Sequence, residues 1–294
     1  MIRSWWALLR REYLEHRAPF LYVPIGIVVL LVVSVGGSIA AKRIQVLAGV
    51  VTPDALKIFE LGYFLLLGLW FAYLVVTLFF YFGDAFAADR RNNAMFFWKS
   101  MPVSDLKMVL SKMLAGTFLF PLLILIVAAV TGLVFYAIVN IGAVVVPGLF
   151  APEPYVTLQS FGQITIFAAV YLFFAVLWYA PFMAWVGGLS TIFGRWSLPL
   201  AFVIPGLIAV VENLVFFGQG PRGGYVWNYI ANRWQFGLPG TAYVAVATEP
   251  TPFGAQTFID LLTRHIDWLA MGEGLVFAAI VLWLAAEYRR RRIN

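Results

Sequence analysis

Six long apolar segments, at 20–41, 61–83, 115–139, 162–189, 198–217 and 271–286, decide what this chain can fold into. A helix of about 20 residues rises far enough to cross the ~30 Å hydrocarbon core of a bilayer. The last segment is short, and its start extends back toward Trp268. Inside hydrocarbon every backbone polar group must be paired within the protein, which leaves helices or a closed barrel. Runs this long and this apolar are helical. Pro121, Pro181 and Pro205 fall inside spans, where neighbouring helices can satisfy the freed carbonyls. The chain is 63% hydrophobic and 12% charged, against about 25% charged in an ordinary soluble domain. The expected fold is an all-α membrane protein, with one transmembrane domain over residues 1–294.

Charge sets the expected orientation. With the N-terminus inside, fourteen of the twenty Lys and Arg residues lie on the inner side. Arg3, Arg10, Arg11, Arg17, Arg90, Arg91, Lys99, Lys107, Lys112, Arg195 and Arg289 to Arg292 are inner. Lys42, Arg43, Lys57, Arg222, Arg233 and Arg264 are outer. Both termini are expected in the cytoplasm, and the Arg289–Arg292 tail is expected to hold the last helix to anionic lipid. Residues 1–17 read as an amphipathic helix rather than a cleavable signal. Ile2, Trp5, Trp6, Leu9 and Tyr13 form a stripe about 100° wide, with Arg3, Arg10, Arg11 and Arg17 mostly off it. Such a helix lies in the cytoplasmic interface, tryptophans toward lipid.

The polar stretch between the second and third spans carries the strongest functional signal. Arg90 and Arg91 precede a short apolar helix segment that includes Phe96, Phe97 and Trp98, with Lys99 after it. Met101-Pro102 ends that segment, because the residue before proline disfavours helix. Ser104, followed by Asp105 and a periodic apolar run, is the expected N-cap of the next helix. A basic, apolar-faced surface of this kind in a chain with little other cytoplasmic structure is a place for a partner to dock. The longest non-spanning stretch is 218–270. Its aromatic cluster Tyr225, Trp227, Tyr229 and Trp234 suits a membrane interface. Phe258, Leu261, Leu262 and Trp268 form a second amphipathic pattern. One or two short extracytoplasmic helices, lying on or dipping into the outer leaflet, are expected there.

Several chemistries are excluded or carry little weight. The chain has no cysteine, so disulfides and thiolate chemistry are out. The net charge of +6 reads as topology and lipid contact, not nucleic-acid binding. Gly218-Gln-Gly-Pro-Arg-Gly223 matches G-x-G-x-x-G only formally: an apolar helix precedes it, and Pro221 removes an amide the phosphates would need. No phosphate-binding G-x-x-x-x-G-K-[ST] occurs, so ATP hydrolysis would need another polypeptide. No cofactor, metal or catalytic set is expected, and His16 and His265 read as surface residues. Glu212, with Asn213 after it, lies near the outer end of the fifth span. An ionisable group at that depth is a candidate for a translocation path, facing the bundle interior, with Asn213 able to bond across a helix interface.

On these residues the chain resembles the ABC-2 type permeases of bacterial ABC exporters. Trp5–His16 is similar to their connecting helix, and Asp89–Ser104, with Ser100-x-Pro102-x-Ser104 and Lys112 beyond, to their coupling helix. Six spans, with short helices between the fifth and sixth, complete the likeness. The resemblance implies a permease in the bacterial inner membrane, two copies or a pair of paralogues joined to two ATPase subunits, and export by alternating access. ATP and Mg would be bound by the partner ATPase. Docking would fall to Arg90, Arg91, Phe96, Phe97, Trp98 and Lys99 together with the first helix. An ion-coupled secondary transporter with Glu212 as the coupling acid is the alternative from another class, ahead of an intramembrane enzyme.

Overall fold

The computed structural model describes residues 2–41, 55–91, 104–145, 152–216, 224–242, 246 and 251–292. Nearly all of these are helical, with no strand among the described residues. The N-terminal helix α1 (Ile2–Glu15) passes through a π-helical turn at Ala18–Tyr22 into α2 (Val23–Ala40). Then come α3 (Ala55–Arg91), α4 (Asp105–Leu114), a second π-helical turn (Ala115–Leu119) and α5 (Phe120–Val145). The longest helix, α6 (Pro154–Phe193), is followed by α7 (Ser197–Val215), the short α8 (Tyr225–Trp234) and α9 (Ala255–His265), and finally α10 (Trp268–Arg292).

Five stretches are long and apolar enough to cross a membrane: Ala18–Ser38, Ala55–Phe86, Asp105–Gly142, Pro154–Val215 and Trp268–Arg291. The chain is a multi-pass membrane protein. The fourth stretch holds the fourth and fifth expected spans together, as α6 and α7. Gly194, at φ 57°, breaks the line in a left-handed conformation that favours glycine, and one 3₁₀ turn, Gly194–Trp196, starts α7. The indole Nε1 of Trp185 donates to the Ala201 carbonyl at 3.3 Å. That contact requires α7 to fold back along α6, since on a straight helix those residues would lie about 24 Å apart. Apolar side chains face outward along α2 (Ile25, Val29, Leu30, Val33) and α7 (Phe202, Leu207, Val211, Leu214), the surface that contact with lipid requires.

The long helices α3 and α6 form the spine. At 37 and 40 residues they reach about 55 and 60 Å, nearly twice the hydrocarbon thickness. They run side by side in one direction: Glu60 meets Ser160 near their starts, and Phe86 lies on Gly187 near their ends. Any side chain at Gly187 would occupy the space of the Phe86 ring. The α5 helix runs antiparallel to α3 beside α6, with Tyr63 against Gly132 and Phe82 against Gly116 of the π-helical turn that precedes it. Small residues at such crossings let backbones approach where lipid supplies no hydrophobic drive.

Two expectations change in detail. The helices outrun the apolar segments: the second expected span, 61–83, lies inside α3, because the helix continues through its polar flanks. Of the short helices expected on or dipping into the outer leaflet, α9 packs lengthwise on the bundle. Its start meets Gln163, and Trp268, just past its end, meets Phe174 edge to face, so it runs alongside α6. It buries Ala255 and Leu262 there and turns Gln256, Asp260 and Arg264, one helical face, outward.

Candidate functional site

One end of the bundle gathers α1, the start of α4 and the end of α10. The Ser104 hydroxyl accepts from the Lys107 amide at 3.3 Å and caps α4, as its sequence context requires. Lys107 then reaches back to α1: its ammonium bonds the Ser4 hydroxyl and lies 5.3 Å from the centre of the Trp5 ring. One turn deeper, Lys112 meets Glu12 of α1 at 3.0 Å. Both are almost fully buried. The Tyr81 hydroxyl lies 3.0 Å from the other Glu12 oxygen and 3.0 Å from the Lys112 carbonyl. Its single proton serves one of them at a time. His16 closes the group, edge-on to Tyr81 at 4.8 Å, and is not the free surface histidine expected. The first helix is therefore fastened to the bundle by a buried ion pair.

Burial divides the stripe of α1. Leu8 and Glu12, one turn apart, are its protein-facing line, with Trp5 and Leu9 half-buried beside it. Trp6 is 69% exposed at the stripe's other edge, and Arg10 is exposed. Arg11 is half-buried and pairs with Glu15 at 3.4 Å. Hence only one side of the stripe is available to lipid. The basic tail is divided too. Arg289 is buried with its Nε 3.8 Å from Asp105, while Arg290 and Arg291 bond Glu287 at 2.8 and 2.7 Å. Arg290 and Arg291 face water and can meet lipid; Arg289 instead ties α10 to α4.

Arg90 and Arg91 are the last residues of α3, at this same end. Phe96, Phe97, Trp98 and Lys99 lie outside the described residues. Of the helices on either side of them, α4 starts beside α1, through Lys107 and Ser4.

The other end holds a second buried ion pair, which the sequence analysis did not single out. Glu60 has no exposed surface and accepts from Lys57 at 2.7 Å, the Ser160 hydroxyl at 2.7 Å and the Phe253 amide at 2.8 Å. Lys57 also donates to the Thr251 carbonyl at 2.6 Å. Measured along α3, Glu60 and Tyr81 stand about 30 Å apart, one hydrocarbon thickness. The signal was present as Lys and Glu three residues apart ahead of an apolar run, but the span boundary at 61 excluded it.

Glu212 and Asn213 each have a hydrogen-bond partner close by. The Glu212 carboxylate accepts from the Val226 amide at 3.0 Å and caps the first turn of α8. Asn213 is exposed and donates to Ala209 of its own helix at 2.7 Å, so the cross-helix bond expected of it is replaced by a local one. Arg233, expected at the outer surface, is 1% exposed: it donates to the carbonyls of Trp178 and Ala270 and rests on the rings of Trp178 and Tyr229. Nothing in its local sequence distinguishes it from a surface arginine.

Among the described residues, Glu12, Glu15 and His16 bring possible metal-ligand atoms within 4.8 Å of one another. Both Glu12 oxygens are already engaged, one of them by an ammonium group, so a cation there would compete with Lys112. Set against models of known families, curated proteins and solved structures, the chain matches none of them.

Proposed function

We propose that this chain is the transmembrane permease subunit of an ATP-driven transporter of the ABC-2 type, exporting its substrate across a bacterial inner membrane. A separate ATPase, binding ATP and Mg, docks at the end where α1, α4 and the close of α3 meet. The observation that carries this reading is the buried Glu12–Lys112 pair. It fixes the N-terminal helix against α4, so that α1 and the start of α4 make one face, at the end of the bundle where α3 closes with Arg90 and Arg91. A push on that face is passed through Lys112 and Tyr81 into the helices that cross the membrane. Counting α6 and α7 as separate crossings gives six spans, with both termini on the cytoplasmic side, in agreement with the charge bias. A second permease copy or a paralogue completes the transporter.

The test is assembly with a P-loop ATPase. Charge reversal at Arg90 and Arg91, or Phe97→Asp, should leave membrane insertion intact and abolish copurification or transport. Normal assembly and transport in these variants would refute the docking assignment. A second reading, an ion-coupled transporter, gains one observation: Glu60 is a buried acid within a candidate span. Its three donors, the Lys57 ammonium among them, already occupy it, which favours a structural role.

A further inference from the structure

Helix starts expose amides that need acceptors. Two helices here supply their own. Ser104 caps α4, and the Asp267 carboxylate accepts from Ala270 at 3.0 Å at the start of α10. The two short helices do not. Both begin after glycine, Gly224 for α8 and Gly254 for α9, with no side chain to cap with. Their acceptors come from other helices. Glu212 of α7 takes the Val226 amide. Gln163 of α6 takes the Ala255 amide at 3.1 Å, and Glu60 of α3 takes the Phe253 amide just before it. The Phe253 ring is held by the same two helices, between Phe64 of α3 and Phe167 of α6.

We propose that α8 and α9 are conditionally ordered: their first turns persist only while α3, α6 and α7 keep their present relative positions. The caps of α9 come from two helices that must lie side by side to serve both amides. If α3 draws away from α6, Phe253 loses its acceptor and its contact with Phe64 in one step. The short helices thereby convert a movement of the spine into an order change at this end of the bundle. This inference needs no substrate and stands apart from the ATPase assignment.

The backbone supplies a control. Gly254 is extended, at φ −110° and ψ 107°, and a side chain there meets only the Thr257 hydroxyl, at an ordinary 3.9 Å. Gly254→Ser can therefore provide a local cap. Gly224 cannot be used this way, because its φ is 86° and a side chain would collide with Glu212.

Hydrogen exchange on the full chain in lipid nanodiscs reads the effect in peptides covering 253–262. Gln163→Ala should speed exchange there on the order of five-fold, with peptides covering 168–176 of α6 unchanged. In the Gly254→Ser background the same substitution should change exchange by less than about two-fold. Glu212→Ala should act likewise on peptides covering 226–232. The proposal is overturned by no acceleration in Gln163→Ala, by equal acceleration with and without Gly254→Ser, or by α6 opening together with α9.

Discussion

The two ends of the bundle each bury a Lys–Glu pair, and the pairs work differently. At the α1 end the partners are far apart in sequence, and the ion pair itself joins two elements, α1 and α4. At the far end Lys57 and Glu60 sit on one helix, and the joining is done by the hydrogen bonds they have to spare, to Ser160, Phe253 and Thr251. The first pair exists only when α1 is docked. The second can form on α3 alone and then organises what surrounds it. A buried pair is costly to break and adds little over apolar packing. Each end is therefore better understood by what it positions than by what it adds to stability.

The largest effect should come from Glu60→Leu. It leaves the buried Lys57 ammonium without its counter-charge and strips an acceptor from Ser160 and Phe253, a loss of roughly 3–5 kcal/mol. Thermal unfolding in detergent would measure it, and a change under about 1 kcal/mol would mean that the far end does not depend on its pair. Lys112→Met should cost less, about 1–3 kcal/mol, because α1 can lift away and return Glu12 to water. Its signature is faster tryptic cleavage at Arg10, Arg11 and Arg17 with the rest of the bundle intact. The double variant Glu12→Leu with Lys112→Met removes both charges and should keep α1 docked. If α1 is freed there as well, the ion pair is not what distinguishes the two ends. Ser104→Ala should cost about 1 kcal/mol, the usual value of an N-cap, in the same unfolding assay. The smallest effect is spectroscopic. In variants retaining a single tryptophan, brominated lipid should quench Trp6 more than Trp5, since Trp6 is exposed and Trp5 is half-buried beside Lys107. Equal quenching would return the whole stripe of α1 to lipid.

What could be read from the sequence was local. Apolar run length located the helices that cross, and Ser104 marked the start of α4 because a cap lies next to the turn it serves. The stripe of α1 was legible, but not its division, because one side of it is covered by α4, a hundred residues away. Glu12, Lys112 and Tyr81 come from three helices, and no periodicity links them. Arg233 is invisible for the same reason: its acceptors are carbonyls of α6 and α10, whose positions only packing determines. Glu212 was noticed for its depth, yet its bond to Val226 crosses a connection whose geometry the sequence does not specify.

The proposed function depends most on the end that carries α1 as a docking face. A photo-crosslinking amino acid in place of Phe97, in the full chain expressed in its native membrane, tests that directly. The crosslinked product is identified by mass spectrometry, with Lys112→Met as the comparison. The expected result is one polypeptide containing a G-x-x-x-x-G-K-[ST] motif, captured by the parent chain and lost or reduced in Lys112→Met. Crosslinks only to lipid or to another copy of this chain would contradict it.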